Sequence, residues 1–82
     1  MKYKLTNHAQ KQIIKRDILV KWIEAALTFP AKIETDTHDP ALVHALLPIS
    51  ERGFRVLRVI YNESVDPVAV VTAYFDNTVK DL

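Results

Sequence analysis

No cysteine occurs anywhere in the 82 residues, which excludes disulfides, thiolate nucleophiles and thiolate metal ligands. Gly53 is the only glycine; it sits between two apolar stretches, where a hairpin needs a residue able to take positive φ. No apolar run approaches the length that spans a membrane. No apolar stretch of the kind a secretory signal carries follows Met1-Lys2-Tyr3-Lys4, so the expected compartment is the cytoplasm. P-loop, dinucleotide, zincin and nucleophile-elbow signatures are also missing, which removes support for nucleotide hydrolysis, redox or metalloprotease chemistry. Asp36, His38 and Asp39 match no metal-site spacing and read as a turn. Neither a metal nor another cofactor is expected.

What remains is an ordinary globular composition, 49% hydrophobic and 26% charged, long enough for one domain over residues 1–82 and one core. The net charge is only +1, yet the signs are segregated. Residues 1–32 carry seven lysines and arginines against Asp17 and Glu24, whereas residues 33–51 carry four acids and no lysine or arginine. Arg52, Arg55 and Arg58 follow, and residues 62–82 set four acids against Lys80. Such blocks suit a local basic patch for phosphate, not a surface that grips nucleic acid all over.

Thr6 or Asn7 offers an N-cap for a first helix from His8 to about Arg16, with Ala9 and Ile13 four apart on one stripe. A second helix is expected from about Leu19 to Thr28. Its stripes, Leu19/Ile23/Ala26/Leu27 and Ile18/Trp22/Ala25/Phe29, read as core, with a partner-binding ridge as the alternative for Trp22 and Phe29. Pro30 marks its end. Strands are expected over 31–35, 42–47, 54–61 and 68–75, with a polar tail after an ordered core of about 3–76. Short connections make this an α+β domain: two N-terminal helices packed on one face of a four-stranded antiparallel sheet. Strand alternation groups Ala69, Val71, Ala73 and Phe75 on one face, whose small alanines suit close packing under a helix. If the helices cover Leu57, Val59 and Tyr61, Arg58 faces the other way, beside Thr72 and Tyr74. His44 reads as a strand side chain.

Two short signatures bracket the chain: Leu5-Thr6-Asn7-His8-Ala9 with Arg16, and Leu57-Arg58-Val59-Ile60-Tyr61 with Val70-Val71-Thr72-Ala73-Tyr74-Phe75-Asp76. Polar groups within apolar strands need a reason, because one left unpaired in a core costs about 1–3 kcal/mol. With Pro30 after the second helix, this order resembles small bacterial proteins of the RelE/ParE toxin superfamily, in its BrnT-like branch. Asp17 stands where that pattern commonly has glycine, and Leu19 where it has a Ser or Thr cap. The resemblance implies an α-α-β-β-β-β domain acting as a ribonuclease toxin on messenger RNA, neutralised by a small antitoxin protein.

Cleaving RNA requires a base for the 2′-hydroxyl, an acid for the leaving oxygen and cations for the crowded phosphate. Arg58 is the first candidate for the phosphate, with Arg16 and Arg55 behind it as substrate-binding residues, since a guanidinium fork matches phosphate oxygens. The alternative for Arg58 is pairing with a carboxylate while its stem covers apolar surface. His8 is the candidate for proton transfer, although the helix N-terminus disfavours imidazolium; its alternative is a structural histidine. Tyr74 offers a hydroxyl or a stacking ring, and Thr72 a hydroxyl, both alternatively ordinary strand residues. Two further readings compete with the nuclease. One is a non-catalytic protein-binding module, a degenerate toxin using the exposed sheet face. The other is a DNA-binding regulator using Lys11 and Lys15 of the first helix.

Overall fold

Thr6 opens the first helix. In the computed structural model, which describes residues 1–82, its backbone is extended and its Oγ1 accepts from the Ala9 amide at 3.1 Å. One free amide of the first turn is thereby satisfied. Helix α1 (Asn7–Lys15) buries Ala9 and Ile13, the stripe its spacing predicts. It stops where Asp17 takes a left-handed backbone, φ 54°. The Ile18 amide reaches the Ile13 carbonyl at 2.9 Å and the Asp17 amide the Ile14 carbonyl at 3.3 Å, the two bonds of a Schellman stop. Glycine suits this position because it has no Cβ to clash, and aspartate is among the few other residues that tolerate it.

Helix α2 (Val20–Thr28) has no capping side chain at Leu19, and it buries Trp22, Ile23, Ala26 and Leu27. Phe29 corrects the expected stripe: the helix has ended before it, and the ring is 75% exposed. No helix is long and apolar enough to cross a membrane.

The expected four-stranded antiparallel sheet is corrected at its N-terminal end. Tyr3–Leu5 forms β1, which pairs in parallel with the last strand, so the sheet is mixed and has five strands. The others are β2 (Lys32–Thr35), β3 (Leu42–Ile49), β4 (Arg55–Asn62) and β5 (Val68–Phe75), and their order is β1-β5-β4-β3-β2. Pairings among β2, β3, β4 and β5 are antiparallel. Three residues are too few to show alternation, so β1 leaves no pattern in the sequence. It is fixed from outside: the Thr6 amide donates to the Val70 carbonyl at 3.1 Å, and the Tyr3 hydroxyl to Glu24 of α2 at 2.9 Å. Burial, then the Glu24 carboxylate, pushes that phenol up to about 12.

A register shift at Ile60/Tyr61 reverses the expected faces in the first half of β5. Ile60 lies opposite Thr72 but Tyr61 opposite Val70, leaving Val71 as the extra residue of a bulge. Ala73 and Phe75 face the helices as expected; Val68 and Val70 join them in place of Ala69 and Val71. Pro48 is tolerated in β3 because β2 ends opposite Leu46, so no neighbour needs its missing amide. The core lies between the helices and one sheet face, with Ile23, Leu57, Val59 and Val70 at its centre.

Candidate functional site

The connection from β3 to β4 builds one wall of a cleft. A 3₁₀ turn, Ser50–Arg52, is followed by Gly53 and Phe54, both at φ 62°. Successive left-handed residues turn the chain sharply, and Arg52 and Arg55 on either side reach the same end of β5. Arg16, held at the stop of α1, supplies the opposite wall. The result is a cleft of about 330 Å³ lined by Arg16, Arg52, Arg55, Tyr74 and Phe75.

Aromatic rings seat these cations. The Arg52 guanidinium lies 5.2 Å from the Trp22 ring centre and 5.5 Å from that of Phe75, and Arg55 lies 4.8 Å from Phe75. Trp22 and Phe75 meet edge to face at 6.0 Å, and Arg16 stands 5.9 Å from the Tyr74 ring. Each such contact contributes about 0.5–1 kcal/mol at an exposed site. Hydrogen bonds complete the positioning: Arg16 to the Ala73 carbonyl at 2.8 Å, Arg52 to the Asp17 carbonyl at 2.9 Å, and Arg55 to the Asn77 amide oxygen at 3.3 Å. Every acceptor is neutral. The ion pairs of the chain involve Lys21, Lys32, His44 and Arg58, and none of these three arginines. The cleft therefore gathers three guanidinium groups with no carboxylate in its lining, which is a setting for an anion.

Arg58 belongs to a different cluster, on the sheet face away from the helices. Its Nε donates to Asp76 at 2.9 Å, and its Nη1 to Glu34 and to His44 Nδ1, each at 2.8 Å. A guanidinium has no acceptor, so Nδ1 accepts, and Nε2 donates to Asp36 at 2.8 Å. Burial pulls the Arg58 pKa down, but the bonds to Glu34 and Asp76 outweigh it and the net shift is upward. Its side chain is 11% exposed. The charge of Arg58, the first candidate for the phosphate, is shared with the carboxylates of Glu34 and Asp76, the kind of pairing weighed as its alternative.

His8 does not join Arg58. It is exposed in the first turn of α1, about 12 Å along the axis from Arg16 and on the side of the sheet that Arg58 does not face. Thr72 lies opposite Ile60, outside the cleft lining. Tyr74 is the link: its cross-strand partner is Arg58, and its ring lines the arginine cleft. Of the expected site residues, Arg16, Arg55 and Tyr74 come together. Arg52 and Phe75 were not anticipated there, nor was the part His44 plays in the Arg58 cluster. Asp36 also accepts from the amides of His38 and Asp39, the turn its sequence predicts.

Residues 5–75 match the family described as a domain of unknown function (DUF4258). No curated protein and no solved structure matches the chain.

Proposed function

The chain belongs to the DUF4258 family, and we propose that it is a ribonuclease toxin of the RelE/BrnT-like kind, restrained by a small antitoxin protein. The observation that carries this reading is the convergence of Arg16, Arg52 and Arg55 on one cleft with no carboxylate in its lining. Guanidinium forks donate paired hydrogen bonds to phosphate oxygens, and several around one phosphate stabilise the charge a phosphorane gathers. Tyr74 lines the same cleft, and its hydroxyl is the group assigned to deliver a proton to the departing oxygen. The residues assigned to the site are Arg16, Arg52, Arg55 and Tyr74, in place of His8 and Arg58.

The second reading is a phosphate-binding module without chemistry. It is favoured by the absence of any imidazole or carboxylate from the cleft lining, since these are the usual groups for taking a 2′-hydroxyl proton. Incubating the purified protein with end-labelled RNA over a range of salt separates the two. The expected result is binding that weakens steeply with salt together with cleavage, both lost in Arg52→Ala and Arg55→Ala. Binding with intact RNA selects the module; no binding at low salt removes both.

A further inference from the structure

Arg55 lines two cavities. Beyond the arginine cleft lies a larger one of about 580 Å³, where Phe54, Val56, Val79 and Leu82 supply apolar surface. Asp76, Asn77 and Lys80 supply its polar edges. The Asn77 oxygen already accepts from Arg55, which leaves its amide hydrogens to donate elsewhere.

The Phe54 backbone closes the turn, its amide donating to the Ile49 carbonyl at 2.9 Å, but that turn does not call for an aromatic ring. The φ of Phe54 is 62°, a region that glycine and asparagine enter readily and an aromatic residue does not. Burial does not offset that cost, because the residue is 70% exposed. A large ring kept in water on an unfavourable backbone is suited to contact with something other than its own chain.

The neighbouring cleft says what that is. A polynucleotide alternates phosphate and base, so a phosphate held by Arg16, Arg52 and Arg55 brings an adjacent base to the cavity that shares Arg55 with it. We infer that Phe54 is a stacking platform, and that the cavity beside it receives one unstacked nucleobase of single-stranded RNA next to the bound phosphate. This inference rests on the RNA reading above and extends it to a substrate class. Bases in a duplex are stacked on one another and present no free face, so such a site selects single strands.

The test uses the whole protein and a short RNA carrying 2-aminopurine, as a single strand and as a blunt duplex, at one fixed salt concentration. Expected are tighter binding of the single strand, by about fivefold or more, and quenching of the fluorescent base on binding. Phe54→Asn weakens single-strand binding by about fivefold or more, abolishes the quench and leaves duplex binding unchanged; Phe54→Tyr retains all three properties. Asparagine fits φ 62° better than phenylalanine, so the Phe54→Asn protein is at least as heat-stable as its parent, which separates lost stacking from lost folding. Phe54→Leu keeps the backbone cost without the ring and binds as Phe54→Asn does. Equal binding of single strand and duplex, unaltered by Phe54→Asn, overturns the platform and leaves the arginine cleft standing. No salt-dependent RNA binding by the parent protein overturns both.

Discussion

The guanidinium of Arg52 donates to the main-chain oxygen of Asp17 at 2.9 Å, which ties the stop of α1 to the turn before β4. Arg16, one residue earlier, is directed by the same stop to the edge of β5, where it meets the Ala73 carbonyl. A single left-handed residue therefore joins the aromatic rings in positioning two of the cleft's cations, and its part is played by backbone atoms.

That geometry separates the backbone of Asp17 from its side chain. Asp17→Gly keeps the carbonyl that Arg52 uses and removes the Cβ from φ 54°, so stability is expected to stay level or rise by up to about 1 kcal/mol. RNA binding is expected to be unchanged. Asp17→Val places a β-branched residue in the same conformation; it is expected to lose about 1–2 kcal/mol and to weaken binding as Arg52 loosens. Urea denaturation and an RNA titration of the two variants check this. A valine variant as stable as the glycine variant would contradict the assigned stop.

Arg58 and the cleft arginines should separate in the same assays. Arg58→Met leaves Glu34, Asp76 and His44 without their common donor on a largely covered face. The expected loss is about 1–3 kcal/mol of stability, measured by urea denaturation, with RNA affinity of the folded protein retained. Arg52→Ala and Arg55→Ala should do the reverse, since their hydrogen-bond partners are neutral and neither site is buried. Retained stability with lost RNA binding in Arg58→Met would restore Arg58 to the binding site.

Period-two alternation already separates Arg55 from Arg58, because residues three apart on a strand face opposite ways. What the sequence does not carry is which face holds the carboxylates: Glu34 and Asp76 come from segments far apart in the chain, and only the register brings them to Arg58, with Asp36 joined through His44. Arg52 lies before the strand, so no periodicity applies to it, and its direction depends on two left-handed residues of which only Gly53 was foreseeable. The bulge at Val71 is equally silent, since a run of apolar residues reads the same on either face. Helix one, its cap at Thr6 and its buried stripe were legible because each rests on contacts within a turn or two.

The carboxylates around Arg58 set the acid limit of the fold. Asp36 is held at about 2, below the ordinary 3.8, first by the bond from His44 and then by the Asp39 and His38 amides. Asp76 is lowered by the Thr78 hydroxyl and amide and then by Arg58, and Glu34 by Arg58 and then Lys32. Glu51 is held at about 2, chiefly by the Trp22 indole N–H. Each group binds a proton more readily in the unfolded chain, so its contribution is complete above the unfolded pKa and is lost as pH falls through the folded one. Urea unfolding should accordingly give stability that is level above about pH 5 and falls from about pH 4 towards pH 2. Asp36→Asn removes one of these titrations, and its stability should fall less steeply over that window than the parent's. Parallel curves for the two proteins would mean that the Asp36 carboxylate is not stabilised by His44 and the turn amides in the folded chain.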